Sequence, residues 1–167
     1  MNSLFTHPQR ILALAAGICV AAVGAALITQ HVYDMQPCPW CILQRMIFLA
    51  IAAVALLGLL WRSRIGTLAS ALAMDMLAAA GVAAALWQHF VAASSSSCNL
   101  TLADRIIAAT GLDGLLPEIF APRASCADAA VNLAGVPYEF WSLALFATLA
   151  ALAVLVLLSQ LKRMAHA

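Results

Sequence analysis

Four stretches of the chain stay apolar for about twenty residues each, and short polar clusters separate them. They run from about Ile11 to Gln30, Cys41 to Trp61, Thr67 to Trp87 and Tyr138 to Gln160. A helix rises 1.5 Å per residue, so about twenty residues cross a hydrocarbon layer of about 30 Å. No stretch alternates polar and apolar residues over ten-residue strands, which argues against a membrane β-barrel. The pattern predicts an all-α fold: one four-helix transmembrane bundle occupying residues 1–167 as a single domain. The first apolar stretch is longer than the core of a secretion signal and is read as a retained helix.

The connections at one end occupy residues 31–40 and 88–137, and the second of them carries local signals. A serine tract, Ser94–Ser97, is flexible by composition. Thr101-Leu102-Ala103-Asp104 has the form of a capping box and predicts a short helix ending at Gly111. Leu112-Asp113-Gly114 reads as a turn, and Pro117 and Pro122 break the segment beyond it. Ser125-Cys126-Ala127-Asp128 repeats the capping pattern. Ala127, Ala130, Val131 and Ala134 would share one face opposite Asp128 and Asn132, with Gly135 and Pro137 as the stop. This predicts a short amphipathic helix on the membrane surface.

Composition agrees with the pattern. Of 167 residues 65% are apolar and 9% charged, with mean hydropathy +1.00; soluble domains carry about 25% charged residues. A net charge of +1 gives no basic surface for nucleic acid. Arg10, Arg62, Arg64, Lys162 and Arg163 fall at one end of the bundle with no acid among them. Arg45, Arg105 and Arg123 fall at the other, with Asp34, Asp104, Asp113, Glu118, Asp128 and Glu139. The positive-inside rule places both termini and the Trp61–Gly66 turn in the cytoplasm. Trp40, Trp61, Trp87 and Trp141 lie near span ends and read as interfacial anchors.

Four of the five cysteines, Cys38, Cys41, Cys98 and Cys126, then face outward, in a bacterium the oxidising periplasm. Cys19, inside the first span, reads as a small buried hydrophobe. In Pro37-Cys38-Pro39-Trp40-Cys41-Ile42-Leu43-Gln44-Arg45, Pro39 suits a first helical position. Cys38 then caps the helix, and Cys41 lies one turn above Arg45 on the same face. The helix N-terminus and the guanidinium both favour a thiolate. Arg45 sits about a turn inside the span, where a charge snorkels or meets a functional partner. Gln88 and His89 end the third span at the same surface and are the other polar side chains there that could face Arg45, although interface polarity explains them equally well. Asp75, inside the third span, suggests a proton relay or a polar contact between helices. His7 and His31 read as solvated.

Zinc sites pair close-spaced ligands. Cys98 and Cys126 stand 28 apart, so only half of that pattern exists and no metal is assigned. Two static disulfides are a second reading, that of a structural membrane protein. A thiol relay fits better. One cysteine pair is fixed on a helix beside a cation, and the other hangs on a loop behind a flexible serine tract.

The whole chain resembles the disulfide bond formation protein B (DsbB) family of membrane quinone reductases. The likeness rests on four spans, on Cys38-Pro39-Trp40-Cys41 followed by Ile42-Leu43-Gln44-Arg45, and on a cysteine pair in the second outer loop. Gly135-Val136-Pro137 leading into Trp141 at the last helix completes it. The related vitamin K epoxide reductase type would carry its loop pair before the CxxC, the reverse of the order here. The resemblance implies a bacterial inner-membrane enzyme that reoxidises a periplasmic DsbA-type thiol oxidase and passes electrons to a membrane quinone, ubiquinone or menaquinone. It implies that Cys98 takes the mixed disulfide, that Cys126 is its loop partner, and that Cys38 and Cys41 receive the electrons. Cys41 would stand next to the quinone and Arg45 would bond a quinone carbonyl, with Gln44, Gln88 and His89 around the ring.

Overall fold

The computed structural model describes residues 7–94 and 101–165, with side chains through Lys162. Four long helices dominate: α1 (Pro8–Val32), α2 (Pro39–Leu60), α3 (Arg64–Trp87) and α7 (Tyr138–Ala165). All four are long and apolar enough to cross a membrane, which makes this a multi-pass membrane protein. Their ends extend beyond most of the hydropathy boundaries because backbone hydrogen bonding continues into polar caps. Pro8 and Pro39 open α1 and α2, where a missing N–H costs nothing. Ser63 caps α3, its Oγ accepting from the Gly66 N–H at 3.0 Å. Past Trp87, α3 continues as a π-helical turn, Gln88–Ala92.

The helices form a ring in the order α1, α2, α3, α7, and α7 leans far more on α3 than on α1. Gly81 makes the α3–α7 contact possible: a Cβ there would collide with the Phe146 ring. Phe146 is fully buried and stacks on Phe48 of α2, with ring centroids 4.0 Å apart. Cys19 is buried among the small residues of α1, as a packing residue. Asp75 is half-buried on α3 and has no hydrogen-bond partner among the described residues. The weaker α1–α7 seam is where the bundle opens.

Between α3 and α7 the chain folds over the cysteine end of the bundle. Helix α4 (Leu102–Thr110) carries the capping box read in the sequence: Thr101 Oγ1 accepts from Asp104 N–H, and Asp104 Oδ2 accepts from Thr101 N–H. Leu112-Asp113-Gly114, expected to be a turn, lies instead in the one-turn helix α5 (Leu112–Leu115). Pro117 then opens another single turn, α6 (Pro117–Phe120). Ile107 and Phe120 pack on Ile42 and pin these turns to α2. Arg123 and Ala124 donate their N–H groups to the Pro37 carbonyl.

The surface helix expected after Ser125 does not form. Ser125 Oγ accepts from Asp128 N–H at 3.2 Å, and the chain makes one turn there. It then enters a two-residue hairpin of β1 (Asn132–Leu133) and β2 (Val136–Pro137). Ala134 (φ 54°) and Gly135 (φ 81°) supply the paired left-handed residues that such a tight turn needs. A single capped turn cannot repay helix nucleation before that reversal. Trp141 Nε1–H fastens the hairpin by donating to the Leu133 carbonyl at 3.2 Å. The tryptophans divide accordingly. Trp61 and Trp87 are exposed at helix ends, but Trp40 is buried in the core with its ring 6.2 Å from that of Trp87.

Candidate active site

Pro39 starts α2 so that Cys38 is its N-cap, and the Cys41 N–H donates to Cys38 Sγ at 3.3 Å. The two sulfurs stand 2.8 Å apart. The turn after Ser125 brings Cys126 against the same helix end, where it contacts the Cys38 thiol and the Trp40 backbone N–H. The N–H groups of a first helical turn have no partners within the helix; here sulfur takes two of them. Three sulfurs thus lie in a row, with Cys38 between Cys126 and Cys41. The Cys38 thiol bonded to Cys126 pulls Cys126 below the ordinary thiol range. The same bond, the one to Cys41 and burial push Cys38 up. Cys98 lies outside the described residues.

A cavity of about 250 Å³ opens between α1, α2 and α7 beneath the hairpin. Ala22, Phe48 and Leu145 give it apolar walls, and Cys41, Arg45, Gln88 and Glu139 give it polar points. Arg45 is 6% exposed. Its Nη1 donates to Gln30 Oε1 at 2.7 Å and to the Ile119 carbonyl at 3.2 Å, and its Nη2 donates to the Ala26 carbonyl at 3.3 Å. A guanidinium has five N–H groups, so two remain for a ligand. Gln30 also donates to the Glu118 carbonyl at 3.1 Å, so Arg45 and Gln30 together hold α6 down.

Gln44 orients Gln88: its Nε2 donates to Gln88 Oε1 at 2.7 Å, and Gln88 Nε2 donates to Cys41 Sγ at 3.3 Å. His89 goes elsewhere. Neighbouring residues on a helix project in different directions, so Gln88 and His89 do not both face Arg45. His89 Nδ1 lies 2.6 Å from Glu139 Oε1, and the ring packs on Phe140 with centroids 4.6 Å apart. His89 is absent from the cavity wall; Glu139 takes that place. Gln30, Tyr138 and Glu139 were not singled out from sequence, because polar residues at span ends serve the interface equally well. The one available signal was that Glu139 is the only acid at the mouth of the fourth span.

A four-helix membrane bundle with vicinal thiols at a helix N-terminus, a third thiol against them and an apolar cavity at the innermost sulfur defines a membrane-embedded thiol–disulfide oxidoreductase. A family model described as Disulfide bond formation protein DsbB matches residues 8–156. Disulfide bond formation protein B 1 of Pseudomonas savastanoi pv. phaseolicola is 33% identical over 155 residues, covering 90% of each chain. Disulfide bond formation protein B of Aromatoleum aromaticum is 32% identical over 144 residues, covering 84% of this chain and 86% of its own. The protein of that name from Polaromonas naphthalenivorans is 31% identical over 164 residues, covering 96% and 97%. The chain belongs to the DsbB family and is a disulfide-forming oxidoreductase.

Proposed function

We propose that the protein sits in the bacterial inner membrane with both termini cytoplasmic, reoxidises a periplasmic DsbA-type thiol oxidase, and delivers the electrons to ubiquinone or menaquinone. The observation that carries this reading is that Cys41 and Arg45 open on one cavity within the bundle. A quinone head is a flat apolar ring with two carbonyl acceptors. The cavity offers apolar walls and the two remaining Arg45 N–H donors, so its chemistry fits that group. The quinone, when bound, supplies a sink for two electrons and two protons.

The chain's own residues do the rest. A thiolate of the partner attacks Cys98 in a Cys98–Cys126 disulfide, and Cys126 leaves as thiolate. The Trp40 backbone N–H, which Cys126 meets whatever the redox state of Cys38, favours that leaving thiolate. The partner's second thiol then releases Cys98, so the partner leaves oxidised. Cys126, already in contact with Cys38, attacks that sulfur in a Cys38–Cys41 disulfide and displaces Cys41. Cys98 closes the exchange by attacking Cys126, which reforms their disulfide and leaves Cys38 and Cys41 as the reduced pair. Gln88 donates to the Cys41 sulfur while Arg45 faces the same cavity.

A DsbA-type oxidase retaining only its attacking cysteine tests the order of transfer. Mixed with the oxidised protein, it should form a lasting mixed disulfide that peptide mapping assigns to Cys98. Cys41→Ser should leave that adduct intact and stop electrons reaching quinone. An adduct at Cys126 or Cys38, or no adduct, contradicts the order.

A further inference from the structure

Glu139 is an acid the relay above does not use. It is nearly inaccessible, its side chain 5% exposed, yet it lines the cavity that Cys41 and Arg45 share. One oxygen lies 2.6 Å from His89 Nδ1; the other has no hydrogen-bond partner among the described residues. A buried carboxyl with a single partner is costly unless a ligand or proton completes it. His89 is different: its side chain is 31% exposed at the cysteine end of the bundle, while its Nδ1 meets Glu139. The two residues therefore connect the cysteine-end surface of the protein to the cavity. The other titratable groups facing Glu139 across the cavity are Cys41 and Arg45 from α2 and Tyr138 from α7. None of these has an exposed partner of the His89 kind.

We propose that Glu139 is the general acid that protonates the quinone oxygen in the cavity, reprotonated from the outer aqueous phase through His89. This deepens the quinone reading above and rests on it. The overall exchange converts a dithiol and a quinone to a disulfide and a quinol. The Cys38 and Cys41 S–H bonds break, one S–S bond forms, and two electrons and two protons pass to the quinone. The thiols supply the electrons. Glu139 hands a proton to one quinone oxygen and is refilled from the aqueous phase through His89. One thiol proton passes to the other oxygen and the second thiol proton leaves to that aqueous phase, so the two protons lost by sulfur equal the two gained by the quinone.

The test uses the full-length protein in detergent, a short-chain ubiquinone, and quenching of the intrinsic tryptophan fluorescence as a binding readout separate from turnover. Glu139→Gln should bind the quinone as the unaltered protein does, yet form quinol about a hundredfold more slowly, the scale of one general acid. Glu139→Asp should recover part of that rate. His89→Ala should also slow quinol formation, and added imidazole should restore it through the exposed opening. Infrared difference spectra taken on adding the quinone to reduced protein should contain a carboxyl band that Glu139→Gln removes. A Glu139→Gln protein with an unchanged rate overturns the proposal. So does loss of quinone binding in step with rate, or a His89→Ala protein deaf to imidazole. An unaltered protein that makes no quinol defeats the underlying quinone reading instead.

Discussion

Arg45 is asked to do two things, and its geometry separates them. Three N–H groups hold Gln30 and the carbonyls of Ala26 and Ile119; the other two are uncommitted, and the residue lines the cavity. A charge-assisted hydrogen bond contributes about 1.5–3 kcal/mol. Arg45→Ala should therefore raise the quinone KM by about tenfold to a hundredfold while Cys38 and Cys41 remain oxidisable. Arg45→Lys should fall between, because an ammonium keeps the charge and loses the planar fork. An unchanged KM in Arg45→Ala would leave the residue as a tether for α6 alone. Cys126 gives a second residue-scale outcome. Its pKa is lowered, so its thiolate persists to more acidic pH than that of a free thiol, about 8.5. Alkylation of Cys126 in the reduced protein should lose half its rate below that pH. A midpoint at or above the free-thiol value would contradict the contact with Cys38. The Cys38–Arg45 motif was legible because cap, proline and i,i+4 spacing each carry a mechanism. Gln30 and Glu139 were not, since what singles them out is a partner more than forty residues away in sequence: the Glu118 carbonyl for one and His89 for the other.

The four long helices were legible for the same kind of reason: an unbroken apolar run of membrane length has few other uses. The α4 capping box was legible because it is local. The hairpin was missed because Ala134-Gly135 is a weaker turn signal than Asn-Gly, and the Ser125 cap pointed to a helix. Its placement is decided by Trp141 and by pairing between Leu133 and Val136. Two substitutions probe the elements. Ala22→Phe on α1 should fill the cavity and raise the quinone KM without changing thiol exchange with the partner; equal KM values would show that the acceptor binds elsewhere. Gly81→Ala should drive a methyl into the Phe146 ring and lower stability in detergent by about 1–3 kcal/mol. A thermal midpoint equal to that of the unaltered protein would show that α3 and α7 can separate freely at that point.

At the scale of the molecule, the ring of helices leaves its loosest seam between α1 and α7, and the cavity lies along that seam. One end of the cavity meets Cys41, and the sulfur row leads from there through Cys38 to Cys126, buried beneath the loop that covers the bundle's end. On the reading proposed above, this layout would join a water-facing thiol reaction to a lipid-borne acceptor without either reactant crossing the bundle. The most direct measurement is a count. The purified protein is reduced, freed of reductant and mixed with a short-chain ubiquinone, and thiol-specific mass tagging is read beside quinol absorbance. Two tagged thiols should disappear for each quinol formed, and the Cys41→Ser variant should form none. Thiols that stay reduced in the presence of quinone, or quinol that appears without thiol loss, would contradict the proposed transfer.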